Sequence, residues 1–180
     1  MSHHLIATCA FGLEAVVKRE LSDLDIDSKV LQPGWVGFQG DQQTIAKTNL
    51  AIRCADRILI EIADFEAKDF DQLFETTKSL PCNQFIPAYG KFPVKGRSIK
   101  SQLSSVPACQ RSVKRAIVES LKRDHQTESL PESGATYQIE IALRDDHARL
   151  TLDTTGPSLH KRGYRTRVGE APLKETLAAA

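Results

Sequence analysis

The stretch from Pro87 to Arg123, PAYGKFPVKGRSIKSQLSSVPACQRSVKRAIVESLKR, carries nine basic residues and one acid, Glu119. Its cations are Lys91, Lys95, Arg97, Lys100, Arg111, Lys114, Arg115, Lys122 and Arg123, and Ser101 and Gln102 lie among them. Ammonium and guanidinium groups beside hydroxyls, amides and helix N-terminal N–H groups form the ligand set of a phosphate backbone. Each phosphate they neutralise releases condensed counterions, which drives binding. A second run, His160, Lys161, Arg162, Arg165 and Arg167, contains no acid. The formal net charge of the whole chain is only +1, so its remainder is acidic and the cations are segregated. A solvated helix face is the ordinary reason for a basic run. Here the positive charge passes through a strand, a Ser-rich loop and a helix in succession, which favours a polyanion.

Other chemistries find less support. Cys9, Cys54, Cys82 and Cys109 are widely spaced and form no CxxC pair; three of them sit in apolar strand or helix patterns that suit reduced, buried thiols, and no metal ligand set is expected. His3 and His4 are neighbours at the polar start of a strand. Gly34, Gly37 and Gly40 lack the order of strand, GxGxxG and helix that cradles a dinucleotide, so no cofactor site is expected in this chain.

Those cations need elements to hold them. Ser105 is a helix N-cap with Pro107 in the first turn, and Cys109, Val113, Ala116, Ile117 and Leu121 recur at the spacing of a buried stripe. The piece before it, with Phe92 and Val94 alternating against Pro93 and Lys95, reads as a short strand. Upstream, Leu5 to Phe11 is a strand, Leu13, Val17, Leu21 and Leu24 mark a helix, and Pro33-Gly34 turns a hairpin over Lys29 to Gln39. Asp41 caps a second helix with Ala46, Leu50 and Cys54 inward, and Arg57 to Phe65 is a strand. This order is the βαββαβ pattern of a ferredoxin-like unit. Asp69 with Gln72 opens the next helix by a capping box, with Phe70, Leu73, Phe74 and Thr77 inward. Ile139, Ile141 and Leu143 alternate with Glu140, Ala142 and Arg144, and Asp145-Asp146 turns the chain back through Leu150 and Leu152. Gly156-Pro157 breaks the pattern, and Pro172 starts a last helix with Leu173 and Leu177 inward.

With 180 residues, 41% hydrophobic and 26% charged, the chain is of the globular class and long enough for one sizeable domain or two small ones, and the order of its strands and helices makes the expected fold class α+β. No apolar run reaches the roughly 20 residues of a membrane span. The start has no secretory pattern, so no membrane partner and a cytoplasmic location are expected.

At FPVKGRSIKSQLSSVPACQRSVKRAIVESLK (Phe92 to Lys122) and at DTTGPSLHKRGYR and EAPLKETLAAA (Asp153 to Ala180) the chain resembles the THUMP-containing, S-adenosylmethionine-dependent RNA methyltransferases. The resemblance is in particular to the bacterial group that methylates N2 of guanine in 23S ribosomal RNA. The resemblance implies a ferredoxin-like domain over 1–65, a THUMP domain over 66–155 (with a family boundary nearer 44 as the alternative), and over 156–180 a linker with the first helix of a methyltransferase domain. It implies RNA, and ribosomal RNA in particular, as partner, together with the protein's own C-terminal catalytic domain. S-adenosylmethionine would be the cofactor of the parent protein. The acidic methyl-donor motif and the Asn-Pro-Pro-Tyr type motif of the family are not among these residues. No catalytic residue is therefore assigned, and the chain alone is expected to be inactive. The RNA-binding candidates are Lys91, Lys95, Arg97, Lys100, Ser101, Gln102, Arg111, Lys114, Arg115, His160, Lys161, Arg162, Arg165 and Arg167. The alternatives are the RNA-binding region of another THUMP-linked RNA-modifying enzyme and a protein-interaction module.

Overall fold

The computed structural model describes residues 2–163 and 173–180. They form two units, Met1–Ile60 with Asp153–Ala180 and, between these in the chain, Glu61–Leu152.

The first unit contains β1 (His3–Cys9), α1 (Glu14–Ser22), β2 (Ser28–Gln32), β3 (Trp35–Gly40), α2 (Gln42–Ala51) and the first half of β4 (Ala55–Glu66). Its strands lie in the order β2-β3-β1-β4 with β1 antiparallel to both β3 and β4, the ferredoxin-like arrangement. Central position explains why Leu5, Ile6 and Ala7 form a continuous apolar run: all three are fully buried, so both faces of β1 are covered. Ile6, Trp35 and Leu59 cluster on one face with Leu31 against them. On the other, Gly40 lets α2 approach, since a Cβ there would meet Leu5 and Thr44. The Pro33-Gly34 turn uses a positive φ of 79° at Gly34, whose N–H donates to the Glu14 carboxylate. That bond, with a second from the Gly12 N–H, holds the Glu14 carboxyl below its usual range.

Asp41 caps α2 as expected, its Oδ1 accepting from the Thr44 N–H at 2.9 Å. The face of α2 differs from expectation. Leu50 is 77% exposed and Ala46 also faces solvent, while Thr48 is fully buried. The Thr48 hydroxyl bonds the carbonyls of Thr44 and Ile45, which satisfies it internally and permits its burial.

The second unit contains the end of β4, α3 (Phe70–Ser79), β5 (Val94–Ile99), α4 (Val106–His125), β6 (Ile139–Arg144) and β7 (His147–Asp153) as far as Leu152. The strand order is β4-β7-β6-β5, with β6 antiparallel to β7 and parallel to β5. Asp69 caps α3 by accepting the Gln72 N–H at 2.7 Å, while the Gln72 side chain accepts from Lys68, one residue earlier than in a full capping box. Phe70 is 41% exposed and not inward as its position suggested; Leu73 and Thr77 carry the buried face of α3. The expected stripe of α4 is buried in full, with Ser120 added, whose hydroxyl donates to the Leu80 carbonyl at 2.7 Å. Asp145 and Asp146 both have positive φ, 49° and 62°, the conformation of a two-residue hairpin turn whose twist matches its strands.

After Asp153 the chain returns to the first unit. Thr154 and Thr155 bond Asn49 and Ile58, Arg57 pairs with Asp153, and Ser158 donates to the Asp56 carbonyl. The terminal helix is a single turn, α5 (Glu175–Ala178). Leu173 and Leu177 are exposed, and the residue that turns inward is Thr176, bonded to Asp56 at 3.0 Å.

Candidate nucleic-acid interface

Strand parity decides where the cations of the second unit point. A Cβ on Gly96 would meet Gln110 and Val106 of α4, so the face of β5 that carries Gly96 lies under that helix. Lys95 and Arg97 alternate with Gly96 and stand on the opposite face, both exposed. The register places Lys95 beside Glu140, Arg97 beside Ala142 and Ile99 beside Arg144. Arg144 thereby joins Lys95 and Arg97 on one outer face, with His147 opposite it on β7. Arg97 pairs with Glu140 at 3.2 Å, and Arg144 approaches Asp145 at 3.6 Å. Lys91, bridged to Thr136 before β5 begins, is exposed as well.

Lys100 lies at the end of β5 with a positive φ of 52°. The loop after it is fastened. Asp146 accepts from the Gln102 N–H at 2.7 Å and from the Gln102 side chain at 3.1 Å, while its own N–H donates to Ser101 Oγ at 3.0 Å. The backbone bond from Gln102, then its side-chain amide, holds the Asp146 carboxyl below the usual range. Ser101 and Gln102 are thus the fasteners of the loop, and Lys100 is the group the loop presents.

The α4 cations occupy the other side of the sheet. Lys114 lies 3.4 Å from the centre of the Phe92 ring, bonds the Phe92 carbonyl at 3.2 Å and pairs with Glu132 at 2.8 Å. It ties α4 to the approach of β5 and to the loop before β6. Arg115 pairs with Glu119 at 3.4 Å and sits 5.3 Å from the Phe74 ring. Glu119, bonded also to Lys78, has its carboxyl pulled down by that bond first, and the Lys78 ammonium is raised in turn. Arg111 is exposed.

His160, Lys161 and Arg162 belong to the first unit. Arg162 donates to the carbonyls of Leu50 and Ile52, satisfying the open end of α2, and His160 bonds Ser158 at 2.8 Å. Lys161 is exposed. Arg165 and Arg167 lie outside the described residues. The structure therefore sets Lys95, Arg97 and Arg144 on one face, leaves Lys91 exposed before β5 and Lys100 exposed after it, and places Arg111, Lys114 and Arg115 on the opposite side. Among the described residues no group of His, Cys, Asp and Glu could hold a metal ion, and no helix is long and apolar enough to cross a membrane.

Residues 4–59 match the RlmL ferredoxin-like domain and residues 67–153 the THUMP domain. The chain joins an RlmL-type ferredoxin-like domain to a THUMP domain. The cationic face of β5 and β6 is thus a feature of the THUMP domain. YpsC of Bacillus subtilis (strain 168), provisionally named an RNA methyltransferase, is 53% identical over 178 residues, 98% of this chain and 46% of that protein. The ribosomal RNA large subunit methyltransferase K/L of Syntrophotalea carbinolica is 33% identical over 97% of this chain and 24% of its own length. Among solved structures, a Listeria monocytogenes protein titled a predicted N6-adenine-specific DNA methylase superposes with a TM-score of 0.96 at 47% identity, over 99% of this chain and 47% of that one. SMU.472, provisionally a methyltransferase and complexed with SAH, gives 0.94 at 45% identity over 99% of this chain and 47% of that one. The chain spans about half the length of YpsC and of both solved structures.

Proposed function

We propose that the THUMP domain holds RNA by its phosphates along the outer face of β5 and β6, and that the chain presents this RNA to a methyltransferase. The observation that carries the reading is the register that sets Lys95, Arg97 and Arg144 on one uncovered face, with Lys100 held out at its end. Backbone contacts of this kind recognise duplex shape with little reading of sequence. The names of the relatives support a methyl transfer reaction performed by the part of them that this chain does not match, with S-adenosylmethionine as donor; the SAH of SMU.472 agrees with that donor. Ribosomal RNA is the finer reading of the substrate, supported by the K/L methyltransferase. Cytoplasm is the compartment in which such a substrate is met.

The test is a binding titration of the 180-residue chain with unrelated RNA hairpins over a range of salt. Replacing Lys95 and Arg97 with Ala should weaken binding about equally for every hairpin and lower the slope of log affinity against log salt by roughly one unit per lost contact. Replacing Lys18 and Arg19, exposed cations on α1, should do much less. Equal losses from the two pairs would mean diffuse charge attraction and would end the claim of a defined face. In the same chain, calorimetric titration with S-adenosylmethionine should give no one-to-one site.

A further inference from the structure

We propose that the groove between α3 and α4 takes one unpaired nucleotide of the bound RNA, through a stacked base whose amino group is held by carboxylates. This deepens the RNA reading above and rests on it: β5 is the edge strand, so a single-stranded tail leaving the outer face passes round that edge to the helix side of the sheet. The groove has a volume of about 540 Å³, within the roughly 300–1,000 Å³ range of small-ligand sites. At its edge stands Phe70, an aromatic ring left 41% exposed although α3 has a buried face to receive it. Phe74 lines the groove with cations near its ring, Arg115 at 5.3 Å and Lys78 at 5.6 Å.

Opposite charges face each other across the groove without meeting. Asp71 and Glu75 line it from α3, Arg111 and Arg115 from α4, yet no ion pair or hydrogen bond links the two sets. Complementary charges held apart by open space suit a ligand that bears both an acceptor and a donor edge. A nucleotide has that constitution, with an anionic phosphate for Arg111, a flat ring for Phe70 and exocyclic N–H groups for the carboxylates. Bases stack on aromatic side chains and on guanidinium planes in single-stranded RNA recognition. Adenine, cytosine and guanine carry an exocyclic amine. Uracil does not, and its two carbonyls would face Asp71 and Glu75 unfavourably.

Three RNA hairpins test this with the 180-residue chain: one blunt, one with a tail of four adenosines and one with a tail of four uridines. The adenosine tail should tighten binding about tenfold over the blunt hairpin, and the uridine tail should add much less. Phe70→Ala should remove that gain and leave the blunt hairpin unaffected. A double variant, Asp71→Asn with Glu75→Gln, should abolish the preference for adenosine over uridine. Each substitution is at an exposed position, so folding is expected to survive, and circular dichroism verifies it. A tail that adds nothing, or a gain that survives Phe70→Ala, overturns the proposal and would suit the groove to a protein segment. If the Lys95 and Arg97 variant binds the blunt hairpin normally while Phe70→Ala still removes the tail gain, the sheet-face reading falls and the groove stands.

Discussion

Lys100 reaches solvent because Asp146, 46 residues later in the chain, holds the loop beside it through three hydrogen bonds. The Asp146 carboxyl is held below its ordinary value of 3.8 by the Gln102 N–H first and the Gln102 amide second. A group with a depressed folded value stabilises the fold above its unfolded value, and that stability is lost as pH falls through the folded value. Acid should therefore loosen this loop below about pH 4. In Asp146→Ala, which removes both acceptor oxygens, hydrogen exchange of the Gln102 amide should be fast already at neutral pH. Unchanged protection in the variant would show that the loop does not rely on the carboxylate. Lys114 makes the contrasting case: its charge is spent on Phe92 and Glu132. Composition gives two such lysines the same weight, and only their neighbours separate a free cation from an internal staple.

Helix α3 begins where Asp69 accepts the Gln72 N–H, and an N-cap of this kind contributes about 1 kcal/mol. Asp69→Ala should lower the urea midpoint accordingly, and Asp69→Ser should restore most of it. No loss in the alanine variant would mean that packing of Leu73 and Thr77 alone sets the helix start. Signals of this local kind were legible in the sequence: the caps at Asp41 and Asp69, the turns at Pro33-Gly34 and Asp145-Asp146, and the full apolar stripe of α4. The inward face of α2 was not. Ala46, Leu50 and Cys54 look like its buried stripe, but α2 ends at Ala51, and the sheet receives Thr48, whose polarity is cancelled by bonds that hydropathy does not count. The cationic face was half legible. Alternation already sets Arg144 outward, yet the parallel partnership of β5 with β6 joins residues more than 40 positions apart and leaves no local trace. For the same reason Lys95 and Arg111 look like one strip in sequence and stand on opposite sides of a sheet.

At the scale of the whole molecule, the chain leaves the first unit at Ile60 and re-enters it at Asp153. The returning segment supplies Thr155 to Asn49, Arg57 a partner in Asp153, and Arg162 to the carbonyls of Leu50 and Ile52. Ending the chain at Leu152 should raise hydrogen exchange at the end of α2 and the start of β4, while the α4 amides, which make no bond to the described residues of that segment, keep their protection. Equal loss in both places would mean that the return segment supports more than the unit it rejoins. The same feature imposes an order of events on the nascent polypeptide. The six elements of the first unit leave the ribosome early, but the residues that close its exposed carbonyls are synthesised only after Glu61–Leu152, roughly 5–20 s later at ordinary elongation rates. For that interval water must satisfy the carbonyls of Leu50 and Ile52 that Arg162 later takes, so the α2 end is the last part of the first unit to be closed.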